Sequence, residues 1–289
     1  MTSETIMSKA ELRYLCAQGL LLLGCGKMGA ALLRGWLDRG LPAEAVFLRE
    51  PRPSPWVQSL GIRLNAELPR APALVVVALK PQTMTQGLAE LTALGNGQTL
   101  FVSIAAGLPL SFYEAALGRR TPIIRAMPNT PVSVGKAITA MIGNARVAAA
   151  QLRLAEELLS AVGQVVVLDT EAQMDAITAV SGSGPAYVFY LIECLAAAAR
   201  AQGLPAEMAM TLARATVAGA GALAEARDQS PNQLRNDVTS PGGTTEAALK
   251  VLTDADRGLQ PLMEATVAAA VRRSQALGKP REENTAHEP

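Results

Sequence analysis

Four consecutive leucines, Leu20 to Leu23, run directly into Gly24-Cys25-Gly26-Lys27-Met28-Gly29, and an amphipathic segment from Lys27 to Arg39 follows. An apolar strand, a G-x-G-x-x-G turn and a helix in that order restrict this part of the chain to the opening unit of a parallel α/β sheet. Gly24 permits the tight turn, Gly26 lets the backbone approach a pyrophosphate, and Gly29 allows close packing of helix on strand. The helix N-terminus offers unpaired N–H groups and a partial positive charge to phosphates. Residues Gly24, Cys25, Gly26, Lys27, Met28 and Gly29 are therefore expected to bind a dinucleotide, with a purely structural turn as the alternative.

The pattern continues along the chain. Apolar runs predict strands at Leu20 to Leu23, Ala45 to Leu48, Leu74 to Leu79, Thr99 to Ser103, Ile123 to Ala126, Ala137 to Ile142 and Gln164 to Leu168. Helices are expected between them near Lys27 to Arg39, Ser54 to Leu60, Thr83 to Leu94, Leu110 to Leu117 and Ala145 to Ala161. This alternation is the signature of a sheet with crossover helices. After Thr170 the strand signal stops, and Ala-, Leu- and Met-rich helical spacing continues to Gly278. The expected fold is an α/β Rossmann-type domain at residues 19–170 followed by an all-α domain at 171–278, with tails at 1–18 and 279–289. Residues 1–18 carry Glu4, Lys9, Glu11 and Arg13 without the apolar stretch of a secretion signal, and read as a tail or short helix. Small residues dominate the apolar faces of the second domain, as in Thr216 to Ala226, so its helices either form a bundle within one chain or interlock between subunits.

Composition removes several classes of chemistry. The single histidine, His287, sits in the polar C-terminal stretch, which excludes a histidine-activated nucleophile, a histidine-ligated zinc and a histidine relay within the folded chain. The three cysteines, Cys16, Cys25 and Cys194, are far apart and odd in number, so no metal site and no disulfide framework is expected. A reducing, cytoplasmic compartment fits best. A formal net charge of +1 gives no electrostatic footprint for nucleic acid, and no apolar run of about 18 residues is present to cross a membrane.

The ends of the strands carry the candidate ligand contacts, because open α/β sheets bind ligands there. After the second strand, Arg49-Glu50-Pro51-Arg52 sends opposing signals. An acidic residue bonds the ribose hydroxyls of NAD, whereas a nearby arginine accommodates the 2′-phosphate of NADP. Ala78-Leu79-Lys80-Pro81-Gln82, Ser103-Ile104-Ala105-Ala106-Gly107 and Met127-Pro128-Asn129-Thr130-Pro131 should ring the cofactor. The small Ala105 and Ala106 let a flat nicotinamide lie against backbone, and Lys80 can pair with a phosphate or ribose. The residues expected to line the cofactor are thus the glycine loop with Arg49, Asn65, Ala78, Leu79, Lys80, Pro81, Ala105, Ala106 and Asn129.

In order along the chain, GCGKMG, ALKPQ, SIAAG, MPNTP, SGSGPAY at Ser181 to Tyr187 and TSPGGTT at Thr239 to Thr245 resemble the pyrroline-5-carboxylate reductase family. The likeness runs from about Gly19 to Gly278, and its last two segments are the most specific. It implies hydride transfer from NAD(P)H to the C=N bond of 1-pyrroline-5-carboxylate, giving L-proline. It also implies NADP(H) as the preferred cofactor with NAD(H) possible, and a dimer or a ring of dimers. The Arg49-Glu50-Pro51-Arg52 loop departs from the family's usual pattern.

The chemistry of TSPGGTT agrees with this. Ser240, Gly242, Gly243, Thr244 and Thr245 precede a helical run, Glu246 to Leu252, and leave backbone N–H groups and hydroxyls open to a small carboxylate. An ordinary helix start capped by Thr244 or Thr245 is the other possibility. The resemblance assigns the substrate carboxylate to Ser240, Gly243, Thr244 and Thr245, and places Thr245 near the ring nitrogen as the catalytic residue. In SGSGPAY, Pro185 suits the first turn of a helix that Ser183 can cap, with direct substrate contact as the alternative. A protonated imine is already electrophilic, so positioning suffices and no histidine is required. Rival expectations are an imine or hydroxyacid reductase of the same two-domain plan and a non-catalytic dinucleotide-binding scaffold.

Overall fold

The computed structural model describes residues 9–278. Residues 1–8 and the expected tail at 279–289, His287 included, lie outside the described residues. From Lys9 the expected N-terminal tail is a helix, α1 (Lys9–Gln18), whose Leu15 is completely buried, because it closes one end of the core beside the first strand.

The sheet follows from the leucine run. β1 (Leu20–Leu23) is buried along its whole length, as a central parallel strand covered on both faces must be. Its side chains alternate between two cores. Leu20 and Leu22 pack with Leu32, Leu33 and Trp36 of α2 (Lys27–Asp38), while Leu21 and Leu23 face the opposite core. The chain continues through β2 (Val46–Arg49), α3 (Pro55–Gln58), β3 (Arg63–Leu64), β4 (Leu74–Val77), α4 (Met84–Ala89), β5 (Leu100–Ser103), α5 (Leu110–Leu117) and β6 (Ile123–Met127). Then come β7 (Ala137–Gly143), α6 (Ala149–Ser160), β8 (Gly163–Val167) and α7 (Met174–Ile177). The strands form one eight-stranded sheet in the order β3-β2-β1-β4-β5-β6-β7-β8. Every neighbouring pair is parallel except β6 with β7. Strand order reverses at β1, so the crevice at the carboxyl ends of β1 and β4 is the topological switch point where such sheets bind ligands.

All the strands expected from the sequence are present, with ends shifted by one or two residues. The two-residue edge strand β3 was not expected, being too short to show a period. The single helix expected at Thr83 to Leu94 is instead α4 between two 3₁₀ turns, Pro81–Thr83 and Thr92–Leu94. Thr92 Oγ1 donates to the Ala89 carbonyl at 3.0 Å, a local bond that competes with helix continuation. The helix expected from Ala145 starts at Ala149 because Asn144 Oδ1 accepts the Arg146 amide at 3.2 Å in a turn. The segment expected to be helical from Ser54 is only one turn, with Ser54 Oγ capping the Val57 amide.

The described residues divide into two compact units, one running to Gly182 and resuming at Val271, the other spanning Ser183–Ala270. The change from strand to helix pattern after Thr170, read as a domain boundary, therefore falls within the first unit. Residues just after it are tied to the sheet: Met174 is buried, and Glu171 pairs with Arg125 of β6 at 2.8 Å. The second unit contains α8 (Gly184–Ala201), α9 (Ala206–Ala226), α10 (Pro231–Asp237), α11 (Thr244–Leu252) and most of α12 (Leu259–Leu277). Where α8 and α9 pack, the buried side chains are alanines: Ala196, Ala209 and Ala213. Such small side chains bring backbones together but cover little apolar area. Phe189, Tyr190, Met208 and Leu212 are left about half exposed or more, with Tyr190 at 67%.

Candidate cofactor and substrate site

Parallel register brings the expected cofactor segments to one edge of the sheet. Leu23 is aligned with Arg49 and with Val77, Val77 with Ser103, and Ser103 with Arg125. The loops beginning at Gly24, Glu50, Ala78 and Ile104 therefore emerge side by side, and Asn129 follows β6 close behind.

Each glycine of the loop has a distinct physical reason. Gly24 has φ +89°, and a Cβ there would stand 2.9 Å from the Ala78 carbonyl oxygen. Gly29 lies under the turn, where a Cβ would meet the Gly24 carbonyl oxygen at 2.7 Å. Gly26 is different: a Cβ on it would meet no atom within 4 Å, so the space above its amide is open. It is the N-cap of α2 and supplies no side-chain cap, which leaves the first-turn N–H groups available. An open, uncapped helix N-terminus over glycine backbone fits a pyrophosphate.

The loop after β2 is a network of its own. Glu50 accepts from the Cys25 amide at 2.7 Å through Oε2 and from the Arg52 amide at 3.0 Å through Oε1. Asn65, at φ +50°, gives both ends of its amide to the Glu50 backbone, and its carbonyl accepts from Arg49 Nη1 at 2.9 Å. Arg49 Nε is buried and unbonded, a spare donor at the strand end where these sheets receive the adenosine ribose. The donor set fits a phosphorylated ribose. Burial, and secondarily the Glu50 carboxylate, push the Cys25 thiol up to about 11, so it is a neutral thiol and no nucleophile.

The remaining expected contacts divide by role. Lys27, Lys80 and Pro81 are exposed, and Ala78, Leu79 and Ala106 are half-buried at the edge. Ala105 is 6% exposed. Asn129 is buried, with Nδ2 donating to the Ser181 carbonyl at 3.2 Å and Oδ1 accepting the Ile138 amide at 3.0 Å. Its amide, like that of Asn65, is committed to protein partners that hold the loops in place. Asn129 thereby ties MPNTP to a π-helical turn, Thr178–Gly182, in which the SGSGPAY segment begins. That turn explains why Ser183 makes no capping bond: its backbone is already helical, at φ −87° and ψ −22°.

TSPGGTT belongs to the second unit. Gly243, not a threonine, is the N-cap of α11, with Thr244 and Thr245 as the first helical residues, and no side chain caps the helix. Gly242 is left-handed at φ +71°, and its amide donates to Glu246 Oε2 at 2.8 Å. Ser240 is exposed and Thr245 half-buried. The first-turn amides and the hydroxyls of Ser240, Thr244 and Thr245 form a small donor-rich surface suited to a carboxylate.

The sequence reading gave no role to a polar group beside the site: buried Ser103, Tyr113 and Arg125 with the half-buried Glu171. A polar residue inside each of the apolar strands LFVS and IIRAM was the available signal. Among the described residues no cluster of three or more His, Cys, Asp or Glu is placed to hold a metal, and no helix is long and apolar enough to cross a membrane.

Comparison with known proteins bears on both units. Residues 20–107 match a family described as NADP oxidoreductase coenzyme F420-dependent, and residues 171–277 match pyrroline-5-carboxylate reductase dimerisation. A pyrroline-5-carboxylate reductase of Pseudomonas aeruginosa is 40% identical over 89% of this chain and 96% of its own. A solved pyrroline-5-carboxylate reductase from Coxiella burnetii superposes with a TM-score of 0.86 at 35% identity, covering 91% of this chain and 99% of that one. A Plasmodium falciparum pyrroline carboxylate reductase with NADP bound gives 0.77 at 28% identity, over 91% of this chain and 99% of that one. With a Rossmann-type sheet, the family's dimerisation module and near-full-length likeness to its members, the chain belongs to the pyrroline-5-carboxylate reductase family.

Proposed function

We infer that this protein reduces the C=N bond of 1-pyrroline-5-carboxylate to give L-proline, the last step of proline biosynthesis, with NADP(H) as the preferred cofactor and NAD(H) as a possible one. The observation that carries the cofactor part is the open, uncapped glycine loop at the switch point of the sheet. Gly24, Gly26 and Gly29 with the first turn of α2 would hold the pyrophosphate, and Arg49 the adenosine ribose phosphate. Ala78 to Pro81 and Ala105 and Ala106 would line the remainder. When bound, the reduced nicotinamide supplies the hydride for the imine carbon.

The rest is done by the chain's own groups. Ser240, Thr244 and Thr245 bind the substrate carboxylate through hydroxyls and first-turn amides at the uncapped start of α11, while Gly242 and Gly243, whose own amides bond Glu246 Oε2 and the Ser240 carbonyl, shape the turn. The Thr245 hydroxyl orients the ring nitrogen as a weak hydrogen-bonding partner. Because an imine is electrophilic once protonated, holding it in place and excluding water account for most of the rate, and such positioning is worth roughly 7 to 11 kcal/mol. The half-exposed apolar face of α8 and α9 supports a homo-oligomer, a dimer or a ring of dimers, in which one subunit's helices complete its neighbour's site. The compartment in this reading is the cytoplasm, in keeping with three free cysteines.

The decisive test is the oxidation of NADPH and of NADH followed spectrophotometrically with pyrroline-5-carboxylate. Turnover with NADPH is expected, and no turnover with either cofactor would overturn the assignment.

A further inference from the structure

The loop Ile104 to Pro109 is held at both ends by polar side chains that take no part in the reaction, buried at its start and half-buried at its end. At its start, Ser103 Oγ donates to Tyr113 Oη at 2.5 Å and accepts the Ala105 amide at 3.3 Å. Ser103 and Tyr113 are each 1% exposed. At its end, Glu171 Oε1 accepts the Leu110 amide at 2.8 Å and Arg125 Nη1 at 2.8 Å. Pro109, the N-cap of α5, has no side chain able to cap, so Glu171 supplies the cap from a distant part of the chain. Tyr113, one turn into α5, feels both the Arg125 and the Glu171 charges, which joins the two ends into one network. Between them Gly107 has φ +84°, and a Cβ there would stand 3.1 Å from Leu277 Cβ, so the loop has little room to shift.

Buried hydroxyls are costly unless bonded, and a Phe and an Ala would fill the same space without that requirement. What the hydroxyl pair adds is geometric: it sets where the Ala105 amide, and so the Ala105–Ala106 backbone, stands at the edge of the sheet. We propose that Ser103 and Tyr113 are positioning residues that fix this backbone as the platform for the nicotinamide end of the cofactor. The proposal rests on the NADP(H) reading above.

The test compares the whole protein with Ser103→Ala and Tyr113→Phe, using two ligands. NADPH binding is followed by nicotinamide fluorescence, and 2′-phospho-ADP-ribose, which lacks the nicotinamide, by calorimetry. Loss of the acceptor for the Ala105 amide in Ser103→Ala is expected to raise the NADPH Kd about tenfold, with 2′-phospho-ADP-ribose within about twofold of wild type. The same variant should lower kcat while KM for pyrroline-5-carboxylate holds, and Ser103→Thr, which keeps the hydroxyl, should restore both. Tyr113→Phe, which removes one oxygen, is expected to shift the NADPH Kd in the same direction by about threefold. It also decides the matter if Ser103→Ala fails to fold. Unchanged NADPH affinity in the folded variants, or equal weakening of both ligands, would overturn the proposal and leave the hydroxyls a structural role only. Wild type that binds NADPH while the variants do not shift sinks this assignment alone; wild type that fails to bind NADPH sinks the functional reading with it.

Discussion

The Glu50 carboxylate accepts a hydrogen bond from the Cys25 amide at 2.7 Å, fastening the loop after β2 to the glycine loop. One anionic side chain thus holds the glycine loop in shape and stands where the proposed cofactor's adenosine ribose would lie. Glu50→Gln keeps an acceptor for Cys25 and removes the charge. NADPH should bind more tightly relative to NADH, by a factor on the order of ten in the ratio of Kd values. The Cys25 thiol should also ionise below its present value of about 11, since that carboxylate is the second cause of its elevation after burial. Titrations of both cofactors and the pH profile of thiol alkylation check this. An unmoved ratio would remove Glu50 from cofactor discrimination.

The glycines separate binding from stability. Gly26→Ala places a methyl in open space above the loop, and φ −67° suits alanine. NADPH binding should weaken about tenfold while stability moves by less than about 1 kcal/mol. Gly29→Ala drives a methyl against the Gly24 carbonyl and should lose both binding and about 1–3 kcal/mol of stability. Denaturant unfolding beside cofactor titration distinguishes the two, and equal stability losses would contradict it.

Thr245→Ala should lower kcat by a factor on the order of 10 to 100 while the fold and the NADPH Kd are retained. Thr245 is a helical residue without a capping role, so its hydroxyl is not needed to hold α11. Full kcat and KM for pyrroline-5-carboxylate in this variant would end its assignment as the catalytic residue.

Alkaline stability should report Tyr113. Burial, only partly opposed by the Ser103 hydrogen bond and Arg125, pushes its phenol up to about 12 from 10. Between pH 10 and 12 the unfolded chain has lost a proton that the folded chain keeps, so stability falls as pH rises across that window. A shift of about two pKa units corresponds to at most about 3 kcal/mol. Tyr113→Phe should flatten that part of the stability profile, measured by urea unfolding. An identical slope in the variant would show that the phenol ionises normally.

Much of this architecture was legible in the residues themselves. The strand, glycine turn and helix from Leu20 to Asp38 are encoded locally, since a positive φ at Gly24 and a continuous apolar run leave few other conformations. The order of GCGKMG, SGSGPAY and TSPGGTT along the chain likewise points to the family. Helix ends were less legible: single side-chain bonds, such as that of Asn144 to Arg146, decided them.

What the sequence alone determined, then, was the class of domain, the dinucleotide turn and the donor-rich segment Ser240 to Thr245, each written in neighbouring residues. The tertiary structure decided which distant groups meet. Cys25 meets Glu50 because β1 and β2 lie side by side in parallel register, and Ser181 and Glu171, from the segment after β8, bond Asn129 and Arg125. It also joined the side-chain amides of Asn65 and Asn129 to partners within the protein, and placed Leu15 in the core. Buried polar atoms must find partners, and which partners lie within reach depends on strand order and register, which spacing along the chain does not reveal.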